Sequence, residues 1–80
     1  MFLEIITPDK KVFEGEISGV QFPGSAGSFE VLSNHAPLIS SLEKGKIRVR
    51  DGRQEKYFNV TGGIVEVLNN KIIVLVPSVS

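Results

Sequence analysis

Lys46-Ile47-Arg48-Val49-Arg50-Asp51-Gly52 decides the fold class. Ile47 and Val49 point one way and Lys46, Arg48 and Arg50 the other, the two-residue period of a strand with one buried face. Asp51-Gly52 is the strongest hairpin signal in the chain, because this dipeptide tolerates positive φ at both positions of a tight turn. The return strand covers about residues 55–61 and stops at Gly62-Gly63. Residues 64–68 and 71–76 follow as two further strands joined across Asn69-Asn70. The last strand is apolar on both faces, which places it centrally in a sheet covered on both sides.

Toward the N-terminus the same pattern continues. Residues 2–7 are rich in β-formers and end at Thr7-Pro8-Asp9-Lys10, where the proline ring presets φ for a turn. Residues 11–22 read as one long strand with a change of phase. Phe13 and Ile17 share one parity, Val20 and Phe22 the other, and Gly19 stands at the joint. A bulge or bend there would carry the chain from one sheet to another. Pro23-Gly24-Ser25-Ala26-Gly27-Ser28 is a loop by composition, residues 29–32 a short strand and residues 34–37 a second irregular connection. Residues 38–42 fit either a strand or a single helical turn. No segment offers three turns of helical period free of breakers. Eight or more short strands with regular turn signals mean an all-β domain, a sandwich or barrel.

A chain of 80 residues is one domain with one modest core. Nine basic side chains balance nine acidic ones, so there is no electrostatic reason to expect nucleic acid or an anionic membrane as partner. The absence of cysteine excludes disulfides and thiolate sites. No apolar run approaches the ~20 residues of a membrane helix. Met1-Phe2-Leu3-Glu4 shows no secretory signal, so Asn59-Val60-Thr61 is expected to carry no glycan. The expectation is a small soluble intracellular domain without direct membrane insertion.

The stretch that invites a functional reading is Gly27-Ser28-Phe29-Glu30-Val31-Leu32-Ser33-Asn34-His35-Ala36-Pro37-Leu38, which holds the one histidine. Its residue types do not assemble into chemistry. Serines and aspartates exist for a triad, but nothing places them together and the Gly-x-Ser-x-Gly elbow is absent. A lone histidine without cysteines does not anchor a usual zinc site, and no spaced carboxylates suggest calcium or magnesium. Gly45-Lys46 fails the phosphate-loop pattern, since Ile47 follows where Ser or Thr is needed. No cofactor is expected. Lys46, Arg48, Arg50 and nearby Arg53 read as a solvated strand face, with Asp51 and Glu55 diluting any basic field. His35, beside Asn34 and Pro37, is of the kind that satisfies local backbone groups.

Ser33-Asn34-His35-Ala36-Pro37-Leu38 resembles the Pro-Gly-His-Ala-Pro-Leu of the epsilon subunits of F-type ATP synthases (delta in mitochondrial naming), departing at the first two positions. Ile5-Ile6-Thr7-Pro8-Asp9, Phe13-Glu14-Gly15 and Gly45-Lys46-Ile47-Arg48 match in the same order. So do Gly62-Gly63-Ile64-Val65-Glu66-Val67 and Asn70-Lys71-Ile72-Ile73-Val74-Leu75, and the likeness covers essentially all 80 residues. The resemblance implies a flattened sandwich of two roughly five-stranded, mostly antiparallel sheets. It also implies a non-catalytic rotor subunit that binds gamma and rests on the ring of proton-carrying membrane subunits. Such a subunit lies peripherally on the cytoplasmic face of the bacterial plasma membrane, or the equivalent organellar face.

By the same resemblance His35, Ala36, Pro37 and Leu38 face gamma, and Gly24, Ser25 and Gly27 face the ring. Where the family often carries acidic residues in the ring loop, this chain has Ala26 and Ser28. The chain ends at Pro77-Ser78-Val79-Ser80, so the inhibitory helical hairpin and nucleotide site of many bacterial relatives are expected to be missing. The alternative of another class is a biotinyl or lipoyl carrier. It needs a lysine at the tip of the central hairpin, where this chain has Asp51-Gly52-Arg53.

Overall fold

The computed structural model describes all 80 residues, and the chain forms nine strands. These are β1 (Phe2–Ile6), β2 (Lys11–Glu16), β3 (Gly19–Phe22), β4 (Phe29–Leu32), β5 (Leu38–Leu42), β6 (Gly45–Asp51), β7 (Gln54–Val60), β8 (Gly63–Leu68) and β9 (Lys71–Leu75). They form a five-stranded sheet in the order β2-β1-β9-β8-β5 and a four-stranded sheet in the order β4-β3-β6-β7. Every pairing is antiparallel except that of β1 with β9. The expected sandwich is present, with four strands rather than five in the second sheet. Beside β7 the residues after Pro77 make a single bridge, Val60 to Val79, flanked by the exchanged backbone bonds of Asn59 and Ser80.

The core is what the alternation demands. Leu3, Ile5, Val65, Val67, Ile72 and Val74 of the first sheet face Val20, Phe22, Val31, Ile47, Val49 and Val60 of the second, all buried. Two aromatic contacts brace it. Phe22 meets Phe29 at 5.5 Å between ring centroids, and Phe13 of β2 meets Phe58 of β7 edge-on at 5.9 Å, closing one open side between the sheets. Aromatic pairs in this range stabilise beyond the area they bury.

The change of phase in residues 11–22 is the passage between sheets, since β2 belongs to one and β3 to the other. The joint lies at Ile17-Ser18 rather than Gly19, which is already the first residue of β3. Ile17 N–H donates to the Met1 carbonyl in one sheet and Ser18 N–H to the Arg50 carbonyl in the other, so the crossover leaves no donor stranded.

Both tight turns form, one of them displaced. Asn69 and Asn70 have φ of 51° and 61°, the two positive values of a type I′ hairpin. In the β6–β7 hairpin Asp51 pairs with Gln54, so the loop is Gly52-Arg53 and not Asp51-Gly52. Only Gly52 has positive φ, 63°, the pattern of a type II′ turn with glycine first. The register follows from keeping Ile47, Val49 and Val60 on the core side. Residues 38–42 are a strand, β5, whose Leu42 is buried.

One expectation about β9 is overturned. The strand is central, between β1 and β8, but its outer face is not covered. Ile72 and Val74 are buried, whereas Leu75 is exposed and Ile73 only half-buried. The apolar run reflects a sheet with one face in the core and a second apolar face turned outward.

Candidate functional site

The two loops singled out in the sequence lie at opposite ends of β4. Four residues at about 3.3 Å each separate them by roughly 13 Å. The structure therefore does not bring Gly24, Ser25 and Gly27 together with His35, Ala36, Pro37 and Leu38. It sets them as two separate surfaces on one rigid strand.

The first loop is stitched to β5 and to the turn that follows it. Gly24 makes a single antiparallel bridge with Leu42, Ser25 N–H donates to the Ser41 carbonyl at 3.1 Å, and Glu43 N–H donates to the Pro23 carbonyl at 2.8 Å. The Ser25 and Ser41 hydroxyls bond at 2.8 Å. Gly24 itself is buried, and a Cβ there would lie 2.7 Å from both the Gly27 carbonyl oxygen and the Phe29 ring. The position admits glycine alone because two backbone turns and an aromatic ring meet there. Gly24 thus shapes the loop, and what the loop presents outward is Ser25, Ala26, Gly27 and Ser28. With no charged side chain at the tip, a partner would meet it through backbone groups, hydroxyls and packing.

In the second loop, His35 N–H donates to the Leu32 carbonyl at 3.2 Å, closing a turn over Ser33 and Asn34. Asn34 has φ of 64°. This is the third position of the turn, where a type II geometry requires glycine or asparagine and favours proline just before it. Ser33-Asn34 therefore forms a turn of the kind that a Pro-Gly pair favours. Asn34 N–H also donates to Asn70 Oδ1 at 3.0 Å, tying the loop to the β8–β9 turn. His35 Nδ1 lies 2.7 Å from the Ala36 carbonyl, so this nitrogen carries the proton and donates. The local backbone role expected of His35 is what the geometry displays. Ala36 and Pro37 are exposed, and Leu38 opens β5 opposite Val67.

No group of three or more His, Asp or Glu side chains is arranged to hold a metal. The basic stripe on β6 is neutralised across strands. Arg50 donates to Glu30 at 2.9 Å, Arg48 lies 3.9 Å from Glu55, and Lys46 sits over the Tyr57 ring at 5.8 Å. That leaves no continuous basic groove for a phosphate backbone.

Two features escaped the sequence reading. Glu4, on the outer face of β1, is buried between Lys11 of β2 at 2.8 Å and Lys71 of β9 at 3.4 Å. The hydrogen bond from Lys11 holds the Glu4 carboxyl below its ordinary range, and Glu4 in turn raises the Lys11 ammonium. Period alone does not single out Glu4, because Lys71 of β9, which crowds it, lies at the far end of the chain. The second feature is the outer face of β5, β8 and β9, where Ile39, Ile64, Leu68 and Leu75 are exposed. The sequence signal was there, in the unbroken apolar run of β9, but it does not say which side is covered.

Comparison with known proteins agrees with this geometry. The family model described as the ATP synthase delta/epsilon chain β-sandwich domain matches residues 1–80. An ATP synthase epsilon chain of Chlorobaculum tepidum is 47% identical over 79 residues, which are 98% of this chain and 90% of the relative. One from Maridesulfovibrio salexigens is 41% identical over 94% of this chain and 53% of its own length, so the chain spans about half of some relatives and nearly all of others. Among solved structures, a chain of the Euglena gracilis mitochondrial ATP synthase superposes with a TM-score of 0.92 at 17% identity, covering 98% of this chain and 51% of that one. A chain of the Tetrahymena thermophila mitochondrial enzyme, solved as central stalk and c-ring, gives 0.85 at 22% identity. At those identities the structures speak to the fold, and the sequence relatives to descent. The chain belongs to the delta/epsilon family of ATP synthase chains, and its 80 residues form that family's β-sandwich domain.

Proposed function

We propose that this chain is a central-stalk subunit of an F-type ATP synthase that joins gamma to the ring of proton-carrying membrane subunits and does no chemistry of its own. The observation that carries the reading is the family match over the whole chain together with 47% identity to an epsilon chain of nearly the same length. The geometry supports it. A part that transmits torque must not deform, and a two-sheet core with tethered loops at both ends of β4 meets that need. By the family resemblance Gly24, Ser25 and Gly27 are assigned to the ring, and His35, Ala36, Pro37 and Leu38 to gamma. The protein would sit peripherally on the cytoplasmic face of the plasma membrane, or its organellar equivalent, as part of the complex.

Co-expression with the cognate gamma subunit tests the reading, and stable co-purification is the expected result. Failure to co-purify, with the gene lying apart from the other synthase genes, would refute it. His35→Ala sharpens the assignment of the loop. The substitution should weaken association with gamma by about 3- to 10-fold, the loss of a loop-positioning hydrogen bond, and leave the melting temperature nearly unchanged. A large loss of thermal stability would instead make His35 a structural residue only.

A further inference from the structure

The turn that opens the histidine loop stands in a conformation its own residues do not impose. It runs from Leu32 to His35, closed by the bond from His35 N–H to the Leu32 carbonyl, and within it Asn34 alone has positive φ, so the turn is type II. Type I is the commonest turn, accepts most residues and puts its third residue at negative φ. Left to themselves, Ser33 and Asn34 would fit it, since a residue other than glycine adopts positive φ uncommonly. The two types differ by a flip of the central peptide, here the one between Ser33 and Asn34, and the flip reverses the direction of the Asn34 N–H. That N–H is the group held from outside. It donates to Asn70 Oδ1 at 3.0 Å, across 36 positions of sequence.

The side chain of Asn70 is not what its own turn demands. Asn69 and Asn70 form the β8–β9 hairpin loop, and a type I′ loop favours glycine at the second of these positions. The Asn70 backbone is fixed on two sides. The Leu68–Lys71 pair closes the hairpin, and the Asn70 carbonyl accepts the Phe2 N–H at 3.1 Å at the start of β1. We infer that Asn70 is a positioning residue for the histidine loop. Its side-chain carbonyl selects the type II turn at Ser33-Asn34, and the turn fixes the direction in which His35, Ala36, Pro37 and Leu38 are presented. The inference deepens the reading above and rests on it only for the partner those residues meet, gamma. One hydrogen bond of this kind shifts the ratio of the two turn types by about two- to tenfold. A partner that accepts one type alone loses affinity by no more than the same factor.

The test reads the turn and the binding separately, on wild-type protein and three variants. A nuclear Overhauser contact between Ser33 Hα and the Asn34 amide proton reports the flip, because the ψ of a type II turn brings the two together and that of type I separates them. The contact should be strong in the wild type. Asn70→Gly removes the acceptor and suits the hairpin, so the fold should stay intact while the contact weakens and gamma affinity falls by about two- to tenfold. Asn70→Asp keeps an oxygen acceptor and tolerates positive φ, so it should behave as the wild type in both measurements. Adding Asn34→Gly to Asn70→Gly should recover both, because glycine takes positive φ without outside help. A contact as strong in Asn70→Gly as in the wild type, or one lost equally in Asn70→Asp, overturns the inference. So does a turn that changes type with no change in gamma affinity. Wild-type protein that does not bind gamma refutes the stalk reading, and the Overhauser contact still decides whether Asn70 sets the turn.

Discussion

The two outer faces of the sandwich solve the same problem differently. On the four-stranded sheet, Arg50 with Glu30, Arg48 with Glu55 and Lys46 over Tyr57 cover the strands with matched cross-strand pairs. On the five-stranded sheet, charge is gathered at one end, around Glu4, and the remainder is aliphatic with Glu66 alone among it. The inner faces are alike, both apolar and buried. The difference is therefore not one of stability. One face covers its strands with matched pairs, and the other leaves aliphatic side chains in water.

Core truncation shows what both faces depend on. Phe22→Ala, at a fully buried site, should cost about 3–5 kcal/mol in chemical denaturation and weaken both faces together. A loss confined to one sheet, seen by hydrogen exchange, would break the picture of a shared core.

Acid titration separates the charged end of the five-stranded sheet from its aliphatic remainder. Glu4 has a depressed folded-state pKa, so its contribution is fully present above the ordinary carboxylate pKa of 4.5 and is lost as pH falls through the folded value. Glu4→Gln should flatten the acid limb of the stability curve and lower the melting temperature at neutral pH. An unchanged acid limb would mean that the Lys11 and Lys71 contacts are not maintained in solution.

The matched pairs of the opposite face should matter less. A double-mutant cycle on Arg50 and Glu30 is expected to give a coupling of about 0.2–1 kcal/mol that shrinks with salt, since both side chains are more than a third exposed. Smallest of all, Ile39→Ser should change stability by no more than about 0.5 kcal/mol, because its side chain is already in water. A cost of several kcal/mol there would show that the aliphatic face stabilises the fold despite its exposure.

Much of the architecture was legible in the chain because it rests on local rules. The alternation of residues 46–50, the asparagine turn at 69–70 and the phase change between Phe13 and Val20 each follow from strand geometry within a few residues. Where the reading slipped, a longer-range constraint won. The β6–β7 turn moved by one residue to satisfy the core register, and the sheet crossover settled at Ile17-Ser18, where donors in both sheets were within reach. Of the candidate site, the two loops were visible as motifs. That Gly24 is a buried spacer and that Asn34 is tied to the β8–β9 turn could be known only once Phe29 and Asn70 were in place.

By itself the sequence determined the strands, the all-β class and the histidine-loop motif, because hydrophobic period and turn chemistry act between near neighbours. Tertiary structure alone decided which side of β9 meets the core. It also decided that Glu4 finds two lysines while Glu66 finds none, because those outcomes depend on which strands lie side by side, and the order β2-β1-β9-β8-β5 joins residues from both ends of the chain.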